Sequence, residues 1–177
     1  MKKTIENTLV LGGCRSGKSS YALELAESVS NSNRLFIATC VPYDNEMKDR
    51  VDRHQSERDE TWTTVETPLQ LSESIIKESN LYDVILVDCL TLWVTNLLLD
   101  GKSEEEIFEE VKRLSVAIEK SHCPVILVSN EVGAGIVPEN KLARQFRDIA
   151  GFVNQKMAKC VPDVFFTAAG IPLKIKG

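Results

Sequence analysis

Leu9-Val10-Leu11-Gly12-Gly13-Cys14-Arg15-Ser16-Gly17-Lys18-Ser19 decides how this chain folds. An apolar run leads into Gly12 and Gly17, separated by four residues and followed directly by a lysine and a serine. That spacing is the P-loop pattern, which requires a strand before it and a helix after it. Both flanks are present, since Leu9 to Leu11 is strand-forming and Tyr21 to Ala26 is amphipathic. Glycines let successive backbone N–H groups turn inward around an anion, where bulkier side chains would obstruct them. A helix beginning at Lys18 adds the positive end of its dipole. Lys18 can reach the terminal phosphates of a nucleoside triphosphate, and the Ser19 hydroxyl can ligate Mg²⁺.

Outward from this loop, short apolar runs alternate with longer amphipathic stretches. Residues 8–11, 35–39, 84–88, 125–129 and 164–167 read as strands buried on both faces, and 62–66 as a further strand. Ser103-Glu104-Glu105-Glu106 forms a capping box ahead of Ile107, Val111, Leu114 and Ile118, which share one helical face. A second helix follows Asn140, with Leu142, Phe146, Ile149, Val153 and Met157 in line. Residues 18–28, 69–78 and 90–98 complete the helices. The alternation predicts one α/β domain over residues 1–177, with a mostly parallel sheet flanked by helices and its ligand at the carboxyl ends of the strands.

Val84-Ile85-Leu86-Val87-Asp88 is a buried strand ending in a carboxylate, as a Walker B strand does. Asp88 is placed either to hold Mg²⁺ or to cap the helix that follows it, and the upstream P-loop favours the metal. Cys14 lies inside the loop, while Cys40 and Cys89 directly follow strands on the ligand side. Modification of at least one of these thiols is expected to inhibit the protein.

Between Asp44 and Asp59 the chain is strongly charged, with Met47 and Val51 as its only large apolar residues. At helical spacing Arg50, His54 and Arg58 stand in one row. Two readings are open. The segment is a solvated helix face laced by ion pairs such as Asp49–Arg53, or the flanking cations keep His54 neutral and nucleophilic beside a phosphate.

Bulk properties narrow the class. A net charge of −5 argues against binding nucleic acid through a general positive field. No apolar stretch is long enough to span a bilayer. Five cysteines, odd in number and without a CxxC pair, suit reduced thiols in the cytoplasm.

Taken together, these motifs resemble the bifunctional adenosylcobinamide kinase/adenosylcobinamide-phosphate guanylyltransferases of cobalamin biosynthesis. The resemblance is carried by the loop, by Ile37-Ala38-Thr39, and by Glu46-Met47, Arg50-Val51, His54, Arg58, Trp62, Thr64 and Glu66 in order. It continues through Thr95-Asn96-Leu97-Leu98, Ser129-Asn130-Glu131-Val132-Gly133, Gly135-Ile136-Val137-Pro138-Glu139-Asn140 and Ala143 to Gln155. It implies a RecA-like P-loop NTPase fold and a homotrimer, with GTP and ATP as substrates alongside Mg²⁺. His54 matches the residue that carries GMP covalently, with Lys18 as its catalytic companion in the loop. Ala38, Thr39, Cys40, Gln55, Ser56, Glu57, Arg58, Glu66 and Asp88 match further nucleotide contacts. The chain departs from the family at Gln55, where Arg is usual, and at Asp59, where Pro is usual.

The implied acceptors are adenosylcobinamide and its phosphate. Two other readings of the P-loop are a small-molecule kinase without the transferase half and a nucleotide-switched binding protein. Only the transferase would retain label from the α-phosphate of GTP.

Overall fold

The computed structural model describes residues 5–42 and 58–177. Its strands are β1 (Thr8–Gly12), β2 (Arg34–Ala38), β3 (Trp62–Glu66), β4 (Val84–Asp88), β5 (Val125–Asn130), β6 (Asp163–Ala168) and β7 (Ile171–Lys176). Its helices are α1 (Lys18–Val29), α2 (Leu71–Glu78), α3 (Leu90–Leu99), α4 (Glu104–Glu119) and α5 (Lys141–Cys160). Among the described residues the strands form one sheet in the order β3-β2-β4-β5-β1-β6-β7, with all neighbours parallel except β6 and β7.

The central strands are apolar at nearly every position because both faces of the sheet are covered. Leu9, Leu35, Ile37, Ile85, Val87 and Leu127 pack against α2 to α5 on one side. Val10, Phe36, Val84, Leu86, Ile126 and Val128 face α1 on the other. Ala22 and Ala26 are the fully buried side chains of α1. Their small size lets the helix lie close to β4 and β5, against which it packs.

The expected strands and helices that fall on the described residues are present with ends shifted by a residue or two, while the charged segment read as helical between Asp44 and Asp59 lies almost wholly outside them. The capping box on α4 forms as its sequence dictates: Glu106 N–H donates to Ser103 Oγ (3.3 Å), and Ser103 N–H donates to Glu106 Oε2 (2.7 Å). The Ser103 N–H first, and the Ser103 hydroxyl after it, hold the Glu106 carboxyl below its usual range. Asn140 caps α5 by accepting from the Ala143 N–H at 3.1 Å.

β7 is absent from the sequence reading. It forms an antiparallel edge with β6 through Ala169 and Gly170, which have φ of 52° and 80°. Two consecutive positive φ values make the tight hairpin turn whose twist suits the flanking strands. Pro172 is tolerated because β7 is an edge strand. No helix among the described residues is long and apolar enough to cross a membrane.

Candidate nucleotide site

The loop between β1 and α1 is held by its own chain. Gly17 is the N-cap of α1 with φ 91°, a left-handed conformation that glycine adopts without strain. A Cβ at Gly17 would come 2.9 Å from Gly170 Cα in the hairpin turn behind it. That turn is bonded to the loop, since Gly170 N–H donates to Ser16 O at 2.9 Å. Thr167 Oγ1 donates to Leu11 O (3.1 Å), so its one hydroxyl proton is used, and Ser16 Oγ donates to it in turn (2.8 Å). A Cβ at Gly12 would collide with both of these hydroxyls. The glycines at the two ends of the loop are therefore fixed by contacts with β6 and the β6–β7 turn.

The interior of the loop is open. A Cβ at Gly13 would meet nothing within 4 Å. Lys18 Nζ donates to Gly13 O at 3.2 Å, which bends the ammonium back over the loop. The first-turn N–H groups of any helix lack intrahelical acceptors. Here the N-cap makes no side-chain hydrogen bond and the first turn contains no acidic residue. An anion thus meets unspent N–H groups and a lysine with no competing carboxylate in that turn. Cys14 and Arg15 are exposed, and Ser19 is half-buried in the first turn.

β5 lies between β1 and β4, which puts Asp88 two strands from the loop, about 10 Å across the sheet. Burial first, and then the Asp88 charge, push the Cys89 thiol up to about 11, while the Lys18 ammonium acts in the opposite direction. Cys89 is buried, so the expectation that it could react does not hold for this residue. Its side chain fills the α1 face of the core. Cys14 is exposed and Cys40 half-buried.

The remaining expected contacts lie elsewhere along the same edge. Ala38, Thr39 and Cys40 end β2 and Glu66 ends β3, about 14 and 19 Å from β1 by strand count. They cannot touch the phosphates that the loop holds. Thr39 is fully buried, and its hydroxyl donates to Cys89 O and accepts from Cys89 N–H, both at 2.8 Å. Asn96 Nδ2 locks the same corner by donating to Thr39 O (2.7 Å) and Pro68 O (3.0 Å). The Thr39 side chain therefore joins β2 to β4, and only its neighbours face outward. Glu66 is exposed. The Arg58 guanidinium lies over the Phe36 ring, 3.7 Å from its centroid. Gln55, Ser56, Glu57 and His54, with the whole Arg50–His54 part of the basic row, lie outside the described residues. His122 is exposed.

Sequence reasoning missed Thr167 and Gly170, whose partners are distant in the chain. Asn96 and Asn154 lie within stretches that carry the family resemblance, and the sequence alone gives neither a task. Asn154 is buried, accepts from Ser129 Oγ (2.6 Å), and donates to Asn130 O (3.0 Å), which fixes the carboxyl end of β5.

Comparison with known proteins agrees with this geometry. A solved KaiC-like protein from Pyrococcus horikoshii superposes with a TM-score of 0.51 over 91% of this chain and 70% of its own, at 12% identity. That likeness carries the fold alone, a KaiC-like arrangement of a mostly parallel sheet flanked by helices. The bifunctional adenosylcobalamin biosynthesis protein CobU of Escherichia coli is 43% identical over 180 residues, covering 95% of this chain and 98% of that protein. The bifunctional adenosylcobalamin biosynthesis protein CobP of Pseudomonas aeruginosa is 41% identical over 169 residues, covering 96% of each. Residues 8–175 match the family model described as cobinamide kinase / cobinamide phosphate guanyltransferase. With nearly the whole chain matched in this way, the chain belongs to the cobinamide kinase / cobinamide phosphate guanyltransferase family.

Proposed function

We propose that this chain, acting as one nucleotide-binding domain over residues 1–177, carries out two successive reactions on a corrinoid. In the first, a nucleoside triphosphate held at the P-loop gives its γ-phosphoryl group to the hydroxyl of adenosylcobinamide. In the second, GMP passes from GTP to adenosylcobinamide phosphate, yielding adenosylcobinamide-GDP. The observation that carries this reading is the open loop ahead of an uncapped, acid-free helix start, with Lys18 bent across it.

In the first reaction Gly12 to Ser19 bind and orient the triphosphate, and Lys18 offsets charge moving off the γ-phosphorus. The Ser19 hydroxyl and the Asp88 carboxylate are hard oxygen donors of the kind Mg²⁺ takes alongside nucleotide phosphates. Among the described residues no group of three or more His, Cys, Asp or Glu could hold a metal ion. When bound there, Mg²⁺ would neutralise phosphate charge. In the second reaction a nitrogen of His54 bonds to the α-phosphorus of GTP and pyrophosphate leaves with the bonding electron pair. The acceptor phosphate then displaces the histidine. Ala38, Cys40, Gln55, Ser56, Glu57, Arg58 and Glu66 are assigned to the GTP used in this step. ATP and GTP are the candidate donors for the first. The family reading extends to a homotrimer in the cytoplasm.

GTP labelled on its α-phosphate tests the covalent step. The wild-type protein should retain acid-labile label, and His54→Asn should lose both the label and adenosylcobinamide-GDP while still phosphorylating adenosylcobinamide. His122→Asn is the control and should behave as wild type. Label retained on the His54 variant would remove His54 from the mechanism and leave the P-loop reading intact.

A further inference from the structure

The structure holds the backbone of one acidic residue, Glu131, against the phosphate loop. β5 is the immediate neighbour of β1, with Gly12 opposite Asn130. The ladder runs one residue further, as Glu131 N–H donates to Gly12 O at 3.0 Å. The backbone of Glu131 is thereby bonded to the first glycine of the loop. The strand end is also pinned from both sides: Asn130 N–H donates to Thr91 Oγ1 (3.0 Å) and Asn130 O accepts from Asn154 (3.0 Å). The carboxylate is held by its own loop, where Glu131 Oε1 accepts from Gly133 N–H at 2.6 Å. Gly133 suits this arrangement, because a Cβ there would lie 2.9 Å from that oxygen. Beyond it, residues 133–137 stand exposed, which leaves the open side of Glu131 to a bulky acceptor.

Phosphoryl transfer to an alcohol needs a group that takes the hydroxyl proton. Of the described strands that flank the loop or bear Asp88, β6 ends in Thr167-Ala168 and offers no carboxylate. Asp88 lies one strand further away and is assigned to the metal. We propose that Glu131 is the general base of the kinase step, an inference that rests on the kinase activity proposed above. The acceptor hydroxyl gives its proton to the Glu131 carboxylate as its oxygen bonds to the γ-phosphorus. The bond from that phosphorus to the β,γ-bridging oxygen breaks, and the electron pair leaves with the nucleoside diphosphate. Guanylyl transfer has no such requirement, because its acceptor is already an ionised phosphate.

Glu131→Gln tests this with little disturbance, since the amide oxygen can still accept from Gly133 N–H. Cobinamide phosphorylation at saturating substrates should fall by about 100-fold or more, the usual loss when a general base is removed. GMP transfer from GTP to supplied cobinamide phosphate should stay within about twofold of wild type, since no proton is taken from that acceptor. Unchanged phosphorylation would overturn the assignment. A parallel fall in both activities would overturn it too, by reducing Glu131 to a support for the loop. The wild-type phosphorylation rate measured alongside tests the kinase activity itself, whereas the ratio of variant to wild type tests Glu131.

Discussion

At the β1 end of the carboxyl edge, the chain presents main-chain groups: an uncapped helix start and a loop clamped between Thr167 and the Gly170 turn. At the β2–β3 end, about 14–19 Å away by strand count, it presents side chains. There Thr39 has spent its hydroxyl on Cys89, Arg58 rests on Phe36, Cys40 lies just past β2, and Glu66 is the last residue of β3. The first region can hold phosphate by backbone geometry alone. The second offers side chains instead, and the proposed function assigns it to the GTP of the transfer step. Two reactions that share a triphosphate but differ in the phosphorus attacked suit such a division along one edge.

The largest expected break in this comparison comes from Lys18→Ala. The loop would keep its backbone but lose its mobile cation, and both phosphorylation of cobinamide and GMP transfer should drop by about 10²–10³-fold. Steady-state rates for each reaction check this. A wild-type rate of phosphorylation would show that the β1 end is not the triphosphate site.

Next in size is Gly17→Ala, which attacks the clamp and spares the charge. The left-handed backbone there costs an L-residue about 1–2 kcal/mol. Crowding against the Gly170 backbone adds about 1–3 kcal/mol. Thermal unfolding should shift down by at least about 4 °C for a chain of this size. Gly13→Ala is the contrast: with nothing within 4 Å of the added methyl, stability should barely change. Equal shifts in the two variants would undo the picture of a loop held at its ends and open in its middle.

The smallest effect is chemical. Cys14 is exposed within the loop, and Cys89 is buried with its thiol pushed up to about 11. Since only the thiolate reacts, maleimide at neutral pH should label Cys14 and pass over Cys89. Bound GTP should slow labelling of Cys14 by covering the loop, and peptide mass spectrometry resolves the two sites. Rapid modification of Cys89 would mean that the junction of β2 and β4 opens far more readily than its Thr39 bonds suggest.

The regions also differ in how far they could be read from sequence. Buried parallel strands such as Val84–Asp88 announce themselves as unbroken apolar runs, and the loop announces itself through glycine spacing. β7 escaped because it is exposed throughout and carries Pro172. Its alternation of Ile171, Leu173 and Ile175 with Pro172, Lys174 and Lys176 is the signal that would have found it. Thr167 gave no such signal, since its partner Ser16 is 151 residues away. Thr39 entered as a nucleotide contact by resemblance, and only three-dimensional packing reveals that its hydroxyl is already engaged. Local rules report what the backbone does nearby. They are silent on which distant residue finishes the job.

The position of β1 between β5 and β6 has a consequence for synthesis on the ribosome. The glycine loop leaves the exit tunnel ahead of β2 to β7, all of which follow it in the chain. Its rear support, Thr167 and the turn at Gly170, is among the last of these residues to follow. A nascent chain therefore cannot shape its phosphate grip until nearly the whole sheet has been made, so incomplete products emerge without a competent site to sequester cellular nucleotide.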